Sequence, residues 1–264
     1  MNTVTSADGT RIAYEKMGEG PAVILVDGAL CHREFGPARP LAEQLKDHFT
    51  VYIYDRRGRG GSDNPPSSVQ SPQREVEDLE ALIKDAGASV RVYGISSGAA
   101  LALEAADRLP GIEKLAVYEA PFVVDDSKPP IPAEYVAGLE ASIAAGKPGD
   151  AVKSFMKLVG APGFAIVMMR LMPVWKKLAA VGHTLPNDLR LLHADGTPLP
   201  AGRWSNATQP TLAMDGGKSP QPMRNAMAAV AATLPDATYR TLPGQTHMLK
   251  AEAVAPILIE FFQN

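Results

Sequence analysis

The fold is decided by Gly94-Ile95-Ser96-Ser97-Gly98, which joins the strand-like run Val90–Tyr93 to a helical pattern over Ser97–Leu109. A serine at the corner of such a strand–turn–helix unit projects above the sheet, and its flanking glycines avoid collision with neighbouring backbone. The N-terminus of the helix also favours negative charge at that point. Ser96 is therefore the candidate nucleophile, and Ser97, off the centre of the motif, is a weaker one. The alternative is a turn in which Ser96 only caps the helix.

Strands and helices alternate on both sides of this corner. The strand predictions fall on Thr10–Glu15, Ala22–Val26, Val51–Tyr54, Leu115–Tyr118, Thr211–Met214 and Thr238–Leu242. The helix predictions fall on Pro40–Phe49, Ser71–Ala86, Ser97–Leu109, Pro220–Leu234 and a C-terminal helix to Phe262. Continuous apolar runs are typical of strands that are buried on both faces, so we expect an α/β fold with a mostly parallel sheet flanked by helices.

The alternation stops after Pro121 and resumes at Thr211. Between these points the sequence predicts helices separated by Pro and Gly clusters, over Ala133–Ala145, Asp150–Val159 and Gly163–Val181, with Pro173 ending or kinking the last. We expect an insertion between two strands of one sheet. The predicted organisation is a core of residues 1–124 and 208–264 with a helical cap of residues 125–207.

Composition narrows the class of protein. The 264 residues are 45% hydrophobic, enough for a full core, and the net charge of -3 from 26 basic and 29 acidic residues argues against nucleic acid or a membrane as partner. The first residues lack the pattern of a secretory signal, and Cys31 is the single cysteine, so we expect a cytoplasmic protein. No metal-ligand cluster, dinucleotide fingerprint or P-loop is recognisable, so we expect no metal and no cofactor. The oligomeric state stays open, a homodimer included.

A general base for Ser96 is predicted at His247. It lies in the segment Pro243–His247, just after the last predicted strand and before the C-terminal helix, where it can reach the serine hydroxyl and accept its proton. The remaining histidines are less well placed: His32, His48, His183 and His193.

Four segments together resemble the α/β-hydrolase fold family over nearly the whole chain: Val23–Ala29, Asp55–Ser62, the Ser96 corner and Gly244–His247. The resemblance implies a mostly parallel sheet with a variable cap after the sixth strand and a triad in the order Ser, acid, His. It also implies an oxyanion hole made by the backbone N–H groups of Ala29 and Ser97. Asp27 departs from the family pattern, which has a His before the glycine.

The acid of the triad is a second departure. The family usually places it in a loop that here reads Asp215–Pro220, where Ser219 stands at the expected position. A minority of the family has the acid at the end of the preceding strand, which here is Glu119. A carboxylate at the end of a buried strand needs a partner, and an imidazole N–H would be one. We predict Glu119, with Asp215 next and Asp125 or Asp126 behind; a structural Glu119 bound to loop amides is the alternative.

A serine nucleophile argues against dehalogenase or epoxide hydrolase chemistry, which needs a carboxylate, and favours a carboxylic ester hydrolase acting on a small ester or lactone. We expect an uncharged, medium-sized acyl or aromatic substrate, although most apolar residues of the cap pack it onto the core. A ligand receptor with slow turnover and a lyase or cyclase that reuses the triad stay open. The residues predicted to bind the substrate are Leu30, Met168, Met172 and Trp175.

Overall fold

In the computed structural model, which describes residues 1–66, 70–192, 199 and 202–264, eight strands form one sheet in the order β1-β2-β4-β3-β5-β6-β7-β8. The strands of this part of the chain are β1 Asn2–Thr5, β2 Arg11–Met17, β3 Ala22–Val26, β4 Thr50–Tyr54, β5 Val90–Ile95, β6 Ile112–Tyr118, β7 Thr211–Gly216 and β8 Ala237–Leu242. The pairs β1·β2 and β2·β4 are antiparallel and all the others are parallel, which confirms the predicted fold class.

Helices cover both faces of the sheet. The helices are α1 Ala38–Leu45, α2 Pro72–Asp85, α3 Ser97–Arg108, α4 Ala133–Ala144, α5 Pro148–Leu158, α6 Gly163–Arg170, α7 Pro173–Val181, α8 Leu185–Leu191, α9 Gln221–Thr233 and α10 Ala251–Gln263. The side chains of α1 and α10 share one apolar core with one face of the sheet, and those of α2, α3 and α9 share the other. Among the helices of the described ranges, none has the length and apolar character to cross a membrane.

Two predicted helices end differently in the structure. The helix predicted over Pro40–Phe49 runs from Ala38 to Leu45, because the chain turns after Leu45 to bring the buried Phe49 under the sheet before β4. The helix predicted over Gly163–Val181 is two helices. Pro173 lacks the N–H that a continuous helix needs and instead occupies the first turn of α7.

The segment between β6 and β7 contains α4 to α8 and, in its described residues, no strand. This segment is called the helical insertion below. It has its own apolar cluster, which includes Leu139, Val152 and Leu185 and is joined by Leu30 from the loop after β3. Residues 193–198 and 200–201 of the predicted cap lie outside the described residues, His193 among them. The boundaries at 125 and 207 stay a prediction.

Candidate active site

Ser96 occupies a strained corner between β5 and α3. Its backbone has φ 58° and ψ −127°, a conformation that L side chains rarely adopt. Close packing explains the adjacent glycines: a Cβ on Gly94 would lie 2.5 Å from the Gly98 carbonyl oxygen, and one on Gly98 would lie 2.2 Å from that of Val26. A Cβ on Gly28 would lie 2.9 Å from that of Ser96. The corner therefore brings Ser96 directly against the loop that follows β3.

The site concentrates backbone strain. Four non-glycine residues among those described have positive φ, and three of them are Leu30, Ser96 and Glu119. These three follow β3, β5 and β6, whose ends meet at one edge of the sheet because the strands are parallel neighbours. Such conformations cost about 1–3 kcal/mol each and persist where surrounding structure holds them, commonly at functional sites.

Glu119 and His247 form a hydrogen-bonded pair at this edge. The Nδ1 atom of His247 lies 2.8 Å from Oε2 of Glu119, whose side chain is completely buried. The backbone N–H of Gly216 donates to Oε1 of the same carboxylate at 2.8 Å. Burial would raise the pKa of Glu119, but the hydrogen bonds with His247 and the Gly216 N–H and the nearby Ser219 hydroxyl outweigh it and hold the pKa below its ordinary value. An ionised carboxylate only accepts hydrogen bonds, so this bond requires the proton on Nδ1 of His247, and in the neutral tautomer with that proton Nε2 is the acceptor.

The loop that bears His247 is fixed from beneath. The hydroxyl of Tyr118, the residue before Glu119, donates to the carbonyl of Thr246 at 2.7 Å. The Gln245 carbonyl accepts from the Lys218 N–H at 2.9 Å. These contacts tie the loop to the ends of β6 and β7, so the imidazole is held while its side chain remains 42% exposed toward the surface.

The competing carboxylates are engaged elsewhere. Asp215 is buried, accepts a short hydrogen bond from the Tyr239 hydroxyl and lies 3.6 Å from Nε of Arg224. Asp125 is bonded to Ser127 and Asn225 at the surface. Ser219, where the usual acid was expected, is buried and is among the groups that lower the pKa of Glu119. Of the acids considered from the sequence, Glu119 is the one bonded to His247.

The loop after β3 carries Ala29, the predicted amide donor of the oxyanion hole. One guanidinium nitrogen of Arg59 donates to the carbonyls of Gly28 at 2.7 Å and Cys31 at 3.2 Å. The loop is therefore clamped on both sides of Ala29. Leu30, with φ 63°, is buried and lies in the apolar cluster of the helical insertion.

Asp27 lies buried beneath this loop, where the family pattern has His. Burial raises its pKa to about 7, although the backbone N–H of Ala38 and the charges of Arg59 and Arg56 lower it, while Asp55 adds to the rise. A Cβ on Gly36 would lie 2.7 Å from the Asp27 carboxylate, so this side chain is tightly enclosed. The sequence shows that Asp27 departs from the family pattern, but not that burial raises its pKa.

We expect Asp27→Asn to stabilise the protein at pH 8 more than at pH 5. The ordinary pKa of 3.8 applies to the unfolded chain and the raised value to the folded one, so the folded state keeps the proton longer. Stability is then lost as pH rises from about 4 to about 7, and an uncharged amide avoids that loss. Thermal unfolding of both proteins at the two pH values measures it. An equal difference in Tm at pH 5 and pH 8 would contradict the assignment.

A buried cluster of charges lies behind the corner, and sequence reasoning missed its role. Arg56 and Arg59 from the loop after β4 are each 1% exposed and both donate to Asp188 of α8. Arg56 also pairs with Glu75 of α2 at 2.5 Å. In the sequence, the segment Asp55–Ser62 indicates only a resemblance to the α/β-hydrolase fold family. The sequence does contain an indication that Asp188, the partner of both arginines, is buried: it lies on the same face of α8 as the apolar Leu185.

The residues predicted to bind substrate fall into two environments. Leu30 is buried in the cluster of the helical insertion, and Trp175 packs partly against the same cluster, with Gly149 beside its indole and Arg170 over its ring at 5.6 Å. Met168 and Met172 are 59% and 55% exposed. The structure thus brings Leu30 and Trp175 into one apolar cluster and leaves the two methionines at the surface. Within the described ranges, no three His, Cys, Asp or Glu residues are grouped so that they would hold a metal ion.

The chain is similar to alpha/beta hydrolases both in sequence and in structure. A model described as the alpha/beta hydrolase family matches residues 23–257. An alpha/beta hydrolase from Sphaerobacter thermophilus DSM 20745 is 46% identical with a TM-score of 0.89, covering 99% of this chain and 100% of that one. The enol-lactonase from Burkholderia xenovorans LB400 has a TM-score of 0.72 over 100% of both chains at 18% identity, which shows a shared fold.

One curated relative shares part of its sequence with this chain. The pimeloyl-[acyl-carrier protein] methyl ester esterase of Xylella fastidiosa (strain M12) is 34% identical over 106 residues, 40% of this chain. The match spans 39% of the length of that relative.

Proposed function

Because the chain belongs to the alpha/beta hydrolase family, we propose that it hydrolyses a carboxylic ester or lactone through an acyl-enzyme on Ser96. In this proposal His247 is the general base, Glu119 orients it, and the N–H groups of Ala29 and Ser97 form the oxyanion hole. The observation that carries the proposal is the 2.8 Å bond between His247 and the buried, amide-bound Glu119. A buried carboxylate on the ring of a half-exposed histidine is the arrangement that a serine triad needs.

The chemistry follows from the proton positions. Nε2 of His247 takes the proton of the Ser96 hydroxyl while Oγ attacks the carbonyl carbon of the substrate, and the carbonyl oxygen becomes an oxyanion. His247, now an imidazolium facing Glu119, returns the proton to the departing alcohol oxygen as the C–O bond breaks. A water molecule then gives a proton to His247 and attacks the acyl carbon. The bond from that carbon to Oγ of Ser96 breaks, His247 returns the proton to Oγ, and the carboxylic acid is released.

The substrate class rests on the nucleophile and on the relatives. A serine forms an acyl-enzyme with esters and lactones, and relatives named above include a methyl ester esterase and an enol-lactonase. The apolar cluster of the helical insertion reaches Leu30 and packs against Ala29, next to the predicted oxyanion hole. We therefore infer an uncharged substrate whose apolar part contacts this cluster, and we propose that the insertion acts as a cap.

We expect p-nitrophenyl esters to give a burst of nitrophenol, one equivalent per Ser96, followed by steady turnover. Stopped-flow absorbance with short and medium acyl chains measures both phases. A burst without turnover would favour a ligand receptor that has kept the triad. No acylation by any ester or lactone in a panel would contradict the hydrolase proposal and favour a lyase or cyclase.

A further inference from the structure

We propose that Asp188, on α8 of the helical insertion, is a positioning residue that holds both halves of the oxyanion hole in register. This inference rests on the proposed function, because it assigns a task within the same site. Asp188 is fully buried, accepts directly from Ser97, and reaches the loop that carries Ala29 through Arg59.

The first contact goes to the residue after the nucleophile. The hydroxyl of Ser97 donates to Oδ1 of Asp188 at 2.7 Å and accepts from Nη1 of Arg56 at 3.1 Å. Ser97 is the first residue of α3, and its backbone N–H is one predicted donor of the hole. Holding the side chain on two partners fixes the direction of this N–H at the strained corner.

The second contact goes to Arg59, which in turn holds the loop after β3. Both carboxylate oxygens of Asp188 accept from Nη2 of Arg59, at 2.8 and 2.7 Å, and Nη1 of the same guanidinium donates to the carbonyls of Gly28 and Cys31. The planar guanidinium is rigid, so its orientation on the carboxylate determines where it clamps the loop. The Asp188 carboxylate therefore sets the position of Ala29 as well as that of Ser97.

The electrostatics favour a fixed charge at this point. Burial opposes ionisation of Asp188, but the charges of Arg59 and Arg56 and the Ser97 hydroxyl keep its pKa below the ordinary value. Two buried guanidinium groups face two buried carboxylates, Asp188 and Glu75. Because the ionised group accepts every bond described here, a neutral amide cannot replace it without reversing a donor.

A neighbouring ion pair provides a matched control. Arg57 and Asp78 are also about 1% exposed and pair at 2.6 Å, but Arg57 bonds further to Asp8, Ser6 and the Arg74 carbonyl, which lie before β2 and in α2 rather than in the segments that carry Ala29 and Ser97. Loss of either Asp78 or Asp188 breaks a buried ion pair, which is strongly destabilising in general. Only loss of Asp188 is expected to disturb the chemical step.

The test compares Asp188→Asn, Ser97→Ala and Asp78→Asn in ester hydrolysis and in affinity for a trifluoromethyl ketone, which forms an oxyanion on Ser96. Displacing oxyanion donors costs catalysis, so we expect Asp188→Asn to lower kcat about 10- to 100-fold with little change in KM. The ketone should bind more weakly by a similar factor. Ser97→Ala should lower kcat by a smaller factor. In the variant that combines Asp188→Asn with Ser97→Ala, the fold-loss of kcat should be smaller than the product of the two single fold-losses. Asp78→Asn should lower Tm and leave kcat near wild type.

Failure of this inference is distinguishable from failure of the proposed function. Steady ester turnover by the wild type with fluorophosphonate labelling of Ser96 supports the proposed function independently of Asp188. In that case, unchanged kcat and ketone affinity in Asp188→Asn would overturn the positioning role. If Asp188→Asn does not fold, Ser97→Ala decides: unchanged kcat and ketone affinity overturn the role, and a parallel loss in both supports it.

Discussion

We expect Ser96→Ala to lower kcat for ester hydrolysis by roughly 10⁴-fold or more, the cost of losing a triad nucleophile. The same change should abolish covalent labelling by a fluorophosphonate. The reason is structural. Ser96 lies at the strained corner, so close to the loop after β3 that a Cβ added to Gly28 would lie 2.9 Å from the Cβ of Ser96. Steady-state kinetics and intact-protein mass spectrometry after labelling measure the two effects.

Ser97→Ala is the matched control for this prediction. It removes a hydroxyl from the adjacent residue, whose side chain is turned toward Asp188 and Arg56. It should still be labelled at Ser96. Labelling of Ser96→Ala at another serine would show that the nucleophile has been assigned to the wrong residue.

The second large effect is expected from Glu119→Gln, which should lower kcat by about 10⁴-fold, as loss of a triad acid does. The amide keeps the shape of the side chain but removes the charge that fixes the Nδ1–H tautomer of His247 and stabilises the imidazolium. Because the pKa of Glu119 is held below its ordinary value, the wild-type carboxylate is ionised at neutral pH. Kinetics on one ester, with circular dichroism to confirm folding, measure the effect.

Asp215→Asn is the matched comparison, since both carboxylates are buried and lie at the ends of neighbouring strands. Asp215 is bonded to Tyr239 and lies near Arg224, so its loss should change stability more than kcat. A near-normal kcat in Glu119→Gln together with a strongly lowered kcat in Asp215→Asn would show that Asp215, on β7, is the acid of the triad.

The fold class could be predicted from the sequence because the central strands have a clear hydrophobic pattern. Ala22–Val26 and Leu115–Tyr118 are too continuously apolar to lie at a surface, and glycines mark the corner at Ser96. The first strand, Asn2–Thr5, was not predicted, because an exposed, mostly polar edge strand has no hydrophobic pattern and is specified only by pairing with β2.

The site could be predicted where its residues follow strands. Glu119 follows β6 and His247 lies in the loop after β8, so the order of parallel strands places them at one edge. Asp188 could not be assigned in this way. Its partners Arg56 and Ser97 are 132 and 91 residues away along the chain, and nothing in local sequence specifies which buried charges meet. The sequence also does not reveal that Met168 in α6 and Met172 just before α7 are exposed, since an apolar pattern does not show which residues of a short segment are covered.

The central claim is an acyl-enzyme on Ser96, and trapping that intermediate tests it most directly. The protein is mixed with a p-nitrophenyl ester, and the reaction is quenched in acid during the burst. The protein is then digested for peptide mass spectrometry. We expect the acyl mass on the peptide that contains Ser96, in an amount equal to the burst, and its absence from Glu119→Gln on the same timescale. Turnover with the acyl group on another residue, or with no acylated peptide at any quench time, would contradict the account.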